Sequence, residues 1–233
     1  MKLGIMQPYL FPYLGYFDLI NYSDKWIIFD TVQYIRRGWM NRNRILSPQD
    51  GWNYIRIPVK KHHRETLIKD IFVQDQTDWR SHILGQIRHY KKAPYFTQVQ
   101  DLLHSCFDST EDRLSKINGH TLEKTCQYLG IPFHCKYFSE MDLLLGQVDG
   151  PGDWALRISE VLEATEYVNP PGGIDLFDPL KFEELGIKLT IRTFPPMQYQ
   201  PWGQKFIPGL SILDVLMWNS PEQVMEYLNN DSI

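Results

Sequence analysis

The sequence predicts an α/β fold: Rossmann-like, with a mostly parallel sheet, an inserted β-hairpin and a helical C-terminal part. Three observations predict it. Short apolar runs alternate with segments of helical periodicity along most of the chain, the pattern of strands joined by crossover helices. One pair of runs is instead joined by Pro48-Gln49-Asp50-Gly51, and Asp-Gly between two such runs signals a hairpin. Beyond Leu210 the apolar residues recur at helical spacing, with a start signal at Ser220-Pro221.

Each element follows in order. Lys2 to Met6 reads as a first strand, stopped by Pro8 and Pro12. Tyr13 to Tyr22 reads as a short helix, and Trp26 to Phe29 as a buried strand. Arg44 to Leu46 and Trp52 to Val59 form the hairpin, and Leu67 to Val73 reads as a further strand. Asp78 to Lys91 and Thr97 to Phe107 read as helices. The clearest helix runs from Glu111 to Leu129, with Leu114, Ile117, Leu122 and Cys126 at helical spacing and Gly130 as its stop. Phe133 to Tyr137 reads as a strand, and Asp153 caps a helix reaching Glu163. A strand ends at Tyr167 and Val168, before the Pro170-Pro171-Gly172-Gly173 turn. Lys188 to Phe194 reads as the last strand. Helices over Leu210–Trp218 and Pro221–Asn229 close the chain. No linker or repeat interrupts the pattern, so a single domain over residues 1–233 is expected.

Composition bounds the function. Hydrophobic residues are 43% and charged residues 22% of 233, enough for a packed core and against disorder. No apolar run approaches the about 18 residues of a membrane span. The N-terminus lacks a signal-peptide pattern. The three cysteines, Cys106, Cys126 and Cys135, are too few and scattered for a disulfide framework, so a cytoplasmic location is expected. Net charge is −4, but residues 31–64 hold eight Lys/Arg against one acid, Asp50. That segment carries +7 and the remainder −11. A basic island in an acidic chain suits capture of one anionic ligand, such as a phosphate or nucleotide, rather than general coating of nucleic acid. The plainer alternative is a solvated basic face.

Four segments carry candidate chemistry. Gln7-Pro8 to Tyr13-Leu14-Gly15-Tyr16-Phe17 follows the first strand and opens a helix, where open α/β sheets bind ligands and helix N–H groups meet anions. Gln7, Tyr13, Gly15 and Tyr16 are its candidate substrate-binding residues. The second runs from Asp30 through Gln33 and Trp39 to Asn41, Arg42, Asn43 and Arg44. Asp30 follows a buried strand, where a carboxylate holds a hydroxyl, binds an amine or acts as a base. Asn41 and Arg42 are placed to steady an oxyanion. Gln33, Trp39, Asn43 and Arg44 offer amides, a ring and a guanidinium fork to substrate. The third is the Gly172-Gly173 turn, a weak phosphate motif. The fourth is Tyr199-Gln200, with Ser211 and Asp214 behind it at the spacing of a helix cap. No metal-ligand spacing and no Walker, Gly-x-Gly-x-x-Gly or Gly-x-Ser-x-Gly motif occurs, so no metal is expected.

Taken together, these segments resemble the WbqC-like family. The matching pieces are Gln7-Pro8 with Pro12 and Gly15-Tyr16-Phe17, Asp30 to Gln33, and Trp39 with Asn41-Arg42-Asn43-Arg44. Ile57-Pro58-Val59, Tyr90 with Ala93-Pro94-Tyr95-Phe96, and Tyr199-Gln200 with Phe206 and Ser211 to Asp214 complete the set. They span nearly the whole chain, which implies one WbqC-like domain. The family is associated with bacterial surface-polysaccharide (O-antigen, lipopolysaccharide) gene clusters. A transferase role is implied: attachment of glycine or another small acyl group to an amino sugar. A looser similarity is to nucleotidylyltransferase-like, Rossmann-type enzymes. Their His-x-x-His motif would fall at Tyr13-Leu14-Gly15-Tyr16, where both histidines are absent.

The expected function is therefore transfer of a small acyl group to the amine of a nucleotide-linked amino sugar, with the basic island holding the diphosphate. A free-acid donor requires ATP; acyl-CoA or an aminoacyl-tRNA arrives already activated. Two alternatives stand beside it. One is a tRNA- or nucleic-acid-binding protein using the basic hairpin with Trp39, Trp52 and Tyr54. The other is a non-catalytic partner in polysaccharide assembly.

Overall fold

The computed structural model describes residues 1–230; the last three residues of the expected single domain lie outside them. Seven strands and eight α-helices follow in chain order among the described residues. They are β1 (Lys2–Met6), α1 (Leu14–Tyr22), β2 (Lys25–Ile28), β3 (Arg42–Leu46), β4 (Trp52–Arg56), α2 (Trp79–Gln86), α3 (Phe96–Phe107) and α4 (Leu114–Leu129). Next come β5 (Cys135–Tyr137), α5 (Asp153–Val161), β6 (Glu166–Asn169), α6 (Pro179–Glu184), β7 (Lys188–Ile191), α7 (Ile212–Trp218) and α8 (Pro221–Leu228). Five strands form one sheet in the order β5-β2-β1-β6-β7, and every pairing is parallel. In order of appearance that is 3-2-1-4-5, the doubly wound arrangement. β3 and β4 stand apart as the antiparallel hairpin.

The sheet is covered on both faces, so its strands are apolar on both sides. Trp26, Ile28 and Val168 face a large core built from α1, α3, α4, α7, α8 and the inner side of the hairpin. Leu3, Ile5, Ile27 and Tyr167 face a smaller core with Ala155, Leu156 and Ile158 of α5 and Phe182 of α6. Gly4 pairs with Trp26 across β1 and β2, and a Cβ there would lie 2.4 Å from the indole. Its absence lets that ring lie across β1, edge-on to Tyr16 at 5.2 Å.

Several expectations change. Leu67–Val73 is not a strand: a 3-10 turn at Ile68–Asp70 lies between isolated bridges Gln33↔Leu67 and Val59↔Val73. The turn caps the end of β2, with Ile68 N–H bonded to Val32 O and Lys69 N–H to Asp30 O. The helix expected over Asp78–Lys91 tightens to a 3-10 turn after Gln86. Asp153 is the first residue of α5 rather than its cap, which is Gly152. The Pro-Pro-Gly-Gly segment winds into a 3-10 helix over Pro171–Leu176. α6, capped by Asp178, is an element that sequence spacing had not marked.

The loop between β1 and α1 positions everything around it. Pro8 and Pro12 interrupt it, so it cannot join a ladder, and its carbonyls need donors from elsewhere. Asn118 on α4 donates to Pro8 O at 2.9 Å and to Met40 O at 2.7 Å. Asn43 on β3 donates to Leu10 O and Phe11 O at 2.9 and 2.8 Å. Ser211 Oγ donates to Phe11 O at 2.8 Å. Ile212 N–H donates to Pro12 O, and Leu10 N–H to Trp39 O.

Asn118→Ala should therefore leave two buried carbonyls without donors and cost about 2–4 kcal/mol of stability. Urea unfolding measures it. A loss below about 0.5 kcal/mol, the range of neutral surface changes, would show that those carbonyls find other donors.

Candidate functional site

β1 and β6 are neighbours whose onward connections run to opposite edges of the sheet. In such sheets the crevice beyond the carboxyl ends of those strands receives ligands. Gln7 stands at the end of β1, half-buried, and its carboxamide has no partner among the described residues. Its carbonyl accepts the Tyr16 hydroxyl at 2.8 Å. Tyr16 itself is fully buried, so it supports the loop from behind. Beside the crevice, buried Asp18 of α1 takes two bonds from Arg192, at 2.5 and 2.7 Å. Burial, and secondarily the Asp18 charge, push the Tyr13 phenol up. Gly173 N–H is bonded to Pro170 O at 3.3 Å, and Gly172 is exposed.

A cleft of about 250 Å³ opens at the start of α1, lined by Tyr13, Gly15, Phe194, Met197, Tyr199 and Phe206 among others. Gly15 is needed because the Tyr13 ring folds over it; a Cβ would sit 2.5 Å from that ring. The outer wall is the irregular segment 192–210. Its central anchor is Tyr199, whose hydroxyl donates to buried Asp214 at 2.5 Å. Tyr90 donates to the other oxygen of the same carboxylate, and Leu46 N–H to the Tyr90 hydroxyl at 2.8 Å. On the far side of Asp214, Tyr90, Trp202, Gln204 and Trp218 line a second cleft of about 260 Å³. Gln200 lies on the exposed side of the segment, bonded weakly to Pro201 O and Gln204 O.

The basic island forms the third feature. Tyr34, Arg36, Arg37, Arg42, Arg56 and His62 line a cleft of about 410 Å³. It runs on through Arg36, Val59 and His62 into an open groove of about 1080 Å³ bearing Lys60 and Lys61. Arg42 faces Arg56 directly across the hairpin, a like-charge pair that costs stability when nothing anionic lies between. Burial raises the Tyr34 phenol, and Arg42, Arg56 and Arg36 pull it back down. Among the described residues, none of the eight cations between 31 and 64 makes an ion pair. Arg42 is steadied instead by Arg37 O, Gly38 O and the Tyr54 ring. Arg44 lies between the Trp39 and Trp52 rings, 5.2 and 5.3 Å from their centroids. It also reaches Gly209 O of the first cleft at 3.1 Å.

The structure thus brings Tyr13, Gly15 and Tyr199 into one cleft, and Asn41 and Arg42 into another. Asn41 gives its Nδ2 to Ile57 O at 2.9 Å, and Asn43 gives its own to the first loop. Gln33 donates to Arg64 O at 2.6 Å. Asp30 is buried and lines neither cleft; its two oxygens take the N–H and Oγ of Ser139 at 3.0 and 2.7 Å. Sequence reasoning missed Tyr34, the Asp18–Arg192 pair and the role of Asp214. A carboxylate among Ile212, Leu213, Val215 and Leu216 was the available signal for the last. Ser211 does cap α7, but Asp214 is the buried acceptor of two tyrosines rather than part of that cap. Burial raises the Cys106 thiol to about 12 and Cys135 to about 11, so neither is a ready nucleophile.

A model of the WbqC-like protein family matches residues 7–226. Among curated proteins, the "Uncharacterized protein Rv1507c" of Mycobacterium tuberculosis (strain ATCC 25618 / H37Rv) is 34% identical over 237 residues, covering 97% of each chain. No solved structure matches.

The buried phenols predict a pH limit. Tyr16, Tyr90, Tyr167 and Tyr199 are all raised above the ordinary 10.0, chiefly by burial. The folded chain keeps these protons where the unfolded chain loses them. Their contribution is complete below about pH 10 and is lost as pH rises beyond it. Tyrosinate absorbance should rise in two phases, the second coinciding with loss of the circular dichroism signal. A single phase near pH 10 with helices intact would show that the Asp214 cluster is open to solvent.

Proposed function

The chain belongs to the WbqC-like protein family, and from that premise we propose that it is a transferase of bacterial surface-polysaccharide synthesis. It attaches glycine or another small acyl group to the amine of a nucleotide-linked amino sugar. One observation carries the reading: Arg36, Arg42 and Arg56 line one cleft with Tyr34, and among the described residues no acid is paired to any of them. Guanidinium groups without acid partners in one cleft suit a diphosphate, which accepts several charge-assisted bonds at once. The apolar cleft at the start of α1, whose Gly209 carbonyl is bonded by Arg44 of the hairpin, has the aromatic lining that suits a sugar ring or a base.

Acyl transfer needs a neutral amine. The amine nitrogen forms a bond to the donor carbonyl carbon, the leaving group takes its electron pair, and a base takes the amine proton. Asp30 is the candidate base; lining neither cleft itself, it would act through the hydroxyl of Ser139, an exposed residue that it holds. Arg42 is the candidate oxyanion partner through its remaining Nη1, since Asn41 Nδ2 and the other Arg42 nitrogens are engaged by backbone carbonyls; Arg36 and Arg56 then hold the diphosphate. A free-acid donor calls for ATP; a thioester or aminoacyl ester does not.

Thermal shift against UDP- and dTDP-linked amino sugars, ATP and coenzyme A tests the reading. A nucleotide sugar at about 100 times its Kd should stabilise the fold by about 2.7 kcal/mol. Silence toward every nucleotide sugar would overturn the proposal. Arg56→Ala, at an exposed position, should leave the fold intact and weaken nucleotide-sugar binding by about 1.5–3 kcal/mol. Asp30→Asn should lower turnover with affinity unchanged, and wild-type turnover would remove Asp30 as base.

A further inference from the structure

The outer face of the hairpin is the most unusual surface of the molecule. Strand alternation puts Arg42 and Arg44 of β3 beside Trp52, Tyr54 and Arg56 of β4. The inner side, with Ile45 and Ile55, is in the core. Outside lie two tryptophans, Trp39 at 38% and Trp52 at 40% exposure. Such rings are ordinarily withdrawn from water. Here they are held ready: the Arg44 guanidinium lies between them, and Tyr54 meets Trp52 edge-on at 4.8 Å.

This platform is continuous with the basic groove. β4 carries it about 14 Å, from Trp52 to Arg56, at the usual rise per residue. Arg56 opens onto the Tyr34 cleft, which continues past His62 to Lys60 and Lys61. The row therefore has stacking surface at one end and unpaired cations at the other, and is far longer than one diphosphate. A ligand that uses all of it has flat rings and negative charges in series.

We propose that this face binds single-stranded RNA, with bases stacked on the Trp39–Arg44–Trp52 platform and phosphates running along the Arg56–Lys60–Lys61 groove. Single strands offer exposed base planes; duplexes hide them. Base stacking on aromatic rings with a basic track beside it is the general chemistry of single-strand binding. The net charge of −4 opposes general coating, so contact is confined to this one face. The inference concerns binding and does not rest on the transfer reaction. Were the transfer reading also correct, the strand would be the 3′ end of an aminoacyl-tRNA serving as donor.

Fluorescence anisotropy with a labelled 12-nucleotide RNA ending in ACCA tests it on the full chain. About four phosphate contacts would give a log–log salt slope of about −2.8, or about 50-fold weaker binding at 200 than at 50 mM salt. Lys60→Ala with Lys61→Ala should reduce that slope by about 1.4. Trp52→Ala should weaken binding about 5- to 150-fold with the slope unchanged, the signature of lost stacking. Circular dichroism checks that these exposed-site variants fold. Absence of saturable binding at 50 mM salt would overturn the proposal. So would equal affinity for the matching RNA duplex, or for heparin with no effect of Trp52→Ala, which would mark a simple polyanion surface. None of Trp52, Lys60 and Lys61 lies in the Tyr34 cleft, so failure here leaves the nucleotide-sugar reading standing.

Discussion

The first loop is held by donors it does not own. Pro8, Leu10 and Phe11 turn their carbonyls into the protein, where an unmet acceptor costs about 1–3 kcal/mol. Asn118, Asn43 and Ser211 meet them, from α4, β3 and α7 respectively. Leaving all three unmet would remove a large share of the about 5–15 kcal/mol that holds an ordinary domain folded. So the helices of the large core and the inserted hairpin are not merely packed near the end of β1. They are required there. Gln7, the start of α1 and the Tyr13 cleft inherit their positions from this arrangement.

Charge is sorted by the same logic. The buried carboxylates are satisfied within the chain: Asp18 by Arg192, Asp30 by Ser139, Asp214 by Tyr90 and Tyr199. Glu166 takes the hydroxyls of Tyr22 and Thr190. The cations of residues 31–64 are left without acids, although acids outnumber bases in the chain as a whole. The four buried acids are thus met inside the chain, while the cations of the hairpin region face outward with no acid paired to them among the described residues. The Arg42–Arg56 pair shows this most directly, since a fold selected for stability alone would place opposite charges across the hairpin.

Much of the fold was legible because periodicity reports burial. The alternation of strands and helices, the hairpin and the capped terminal helices all follow from spacing and turn chemistry. The order of strands did not, because pairing is a contact between distant segments. The Leu67–Val73 segment misleads for a related reason. Its apolar residues are buried, but by a turn over the end of β2 rather than by a ladder. Around the hairpin, dense polar residues suggested a site, yet Asn41, Asn43 and even Arg42 and Arg44 spend donors on backbone carbonyls, the arginines lacking only an acid partner. Sequence shows which groups are polar; it does not show which of them the backbone will consume. Asp214 was legible in principle, as a charge on an apolar helix face, but its spacing from Ser211 offered an easier explanation.

The irregular segment 192–210 shows how a long stretch without regular structure can still be held in a fixed shape. Loops of this length are ordinarily functional or disordered. Here the backbone is fixed at intervals: Arg192 on Asp18, Tyr199 on Asp214, Gln204 on Ser47 O, and Gly209 under Arg44. Between those anchors it walls two clefts on either side of one buried carboxylate. Arg44 has a special place in this scheme. It shares the hairpin platform with Trp39 and Trp52, touches the wall of the first cleft, and keeps a buried Nε without a partner. A buried donor left unmet is costly. That cost accompanies a guanidinium held between two indole rings and against the Gly209 carbonyl, which ties the hairpin to the 192–210 segment.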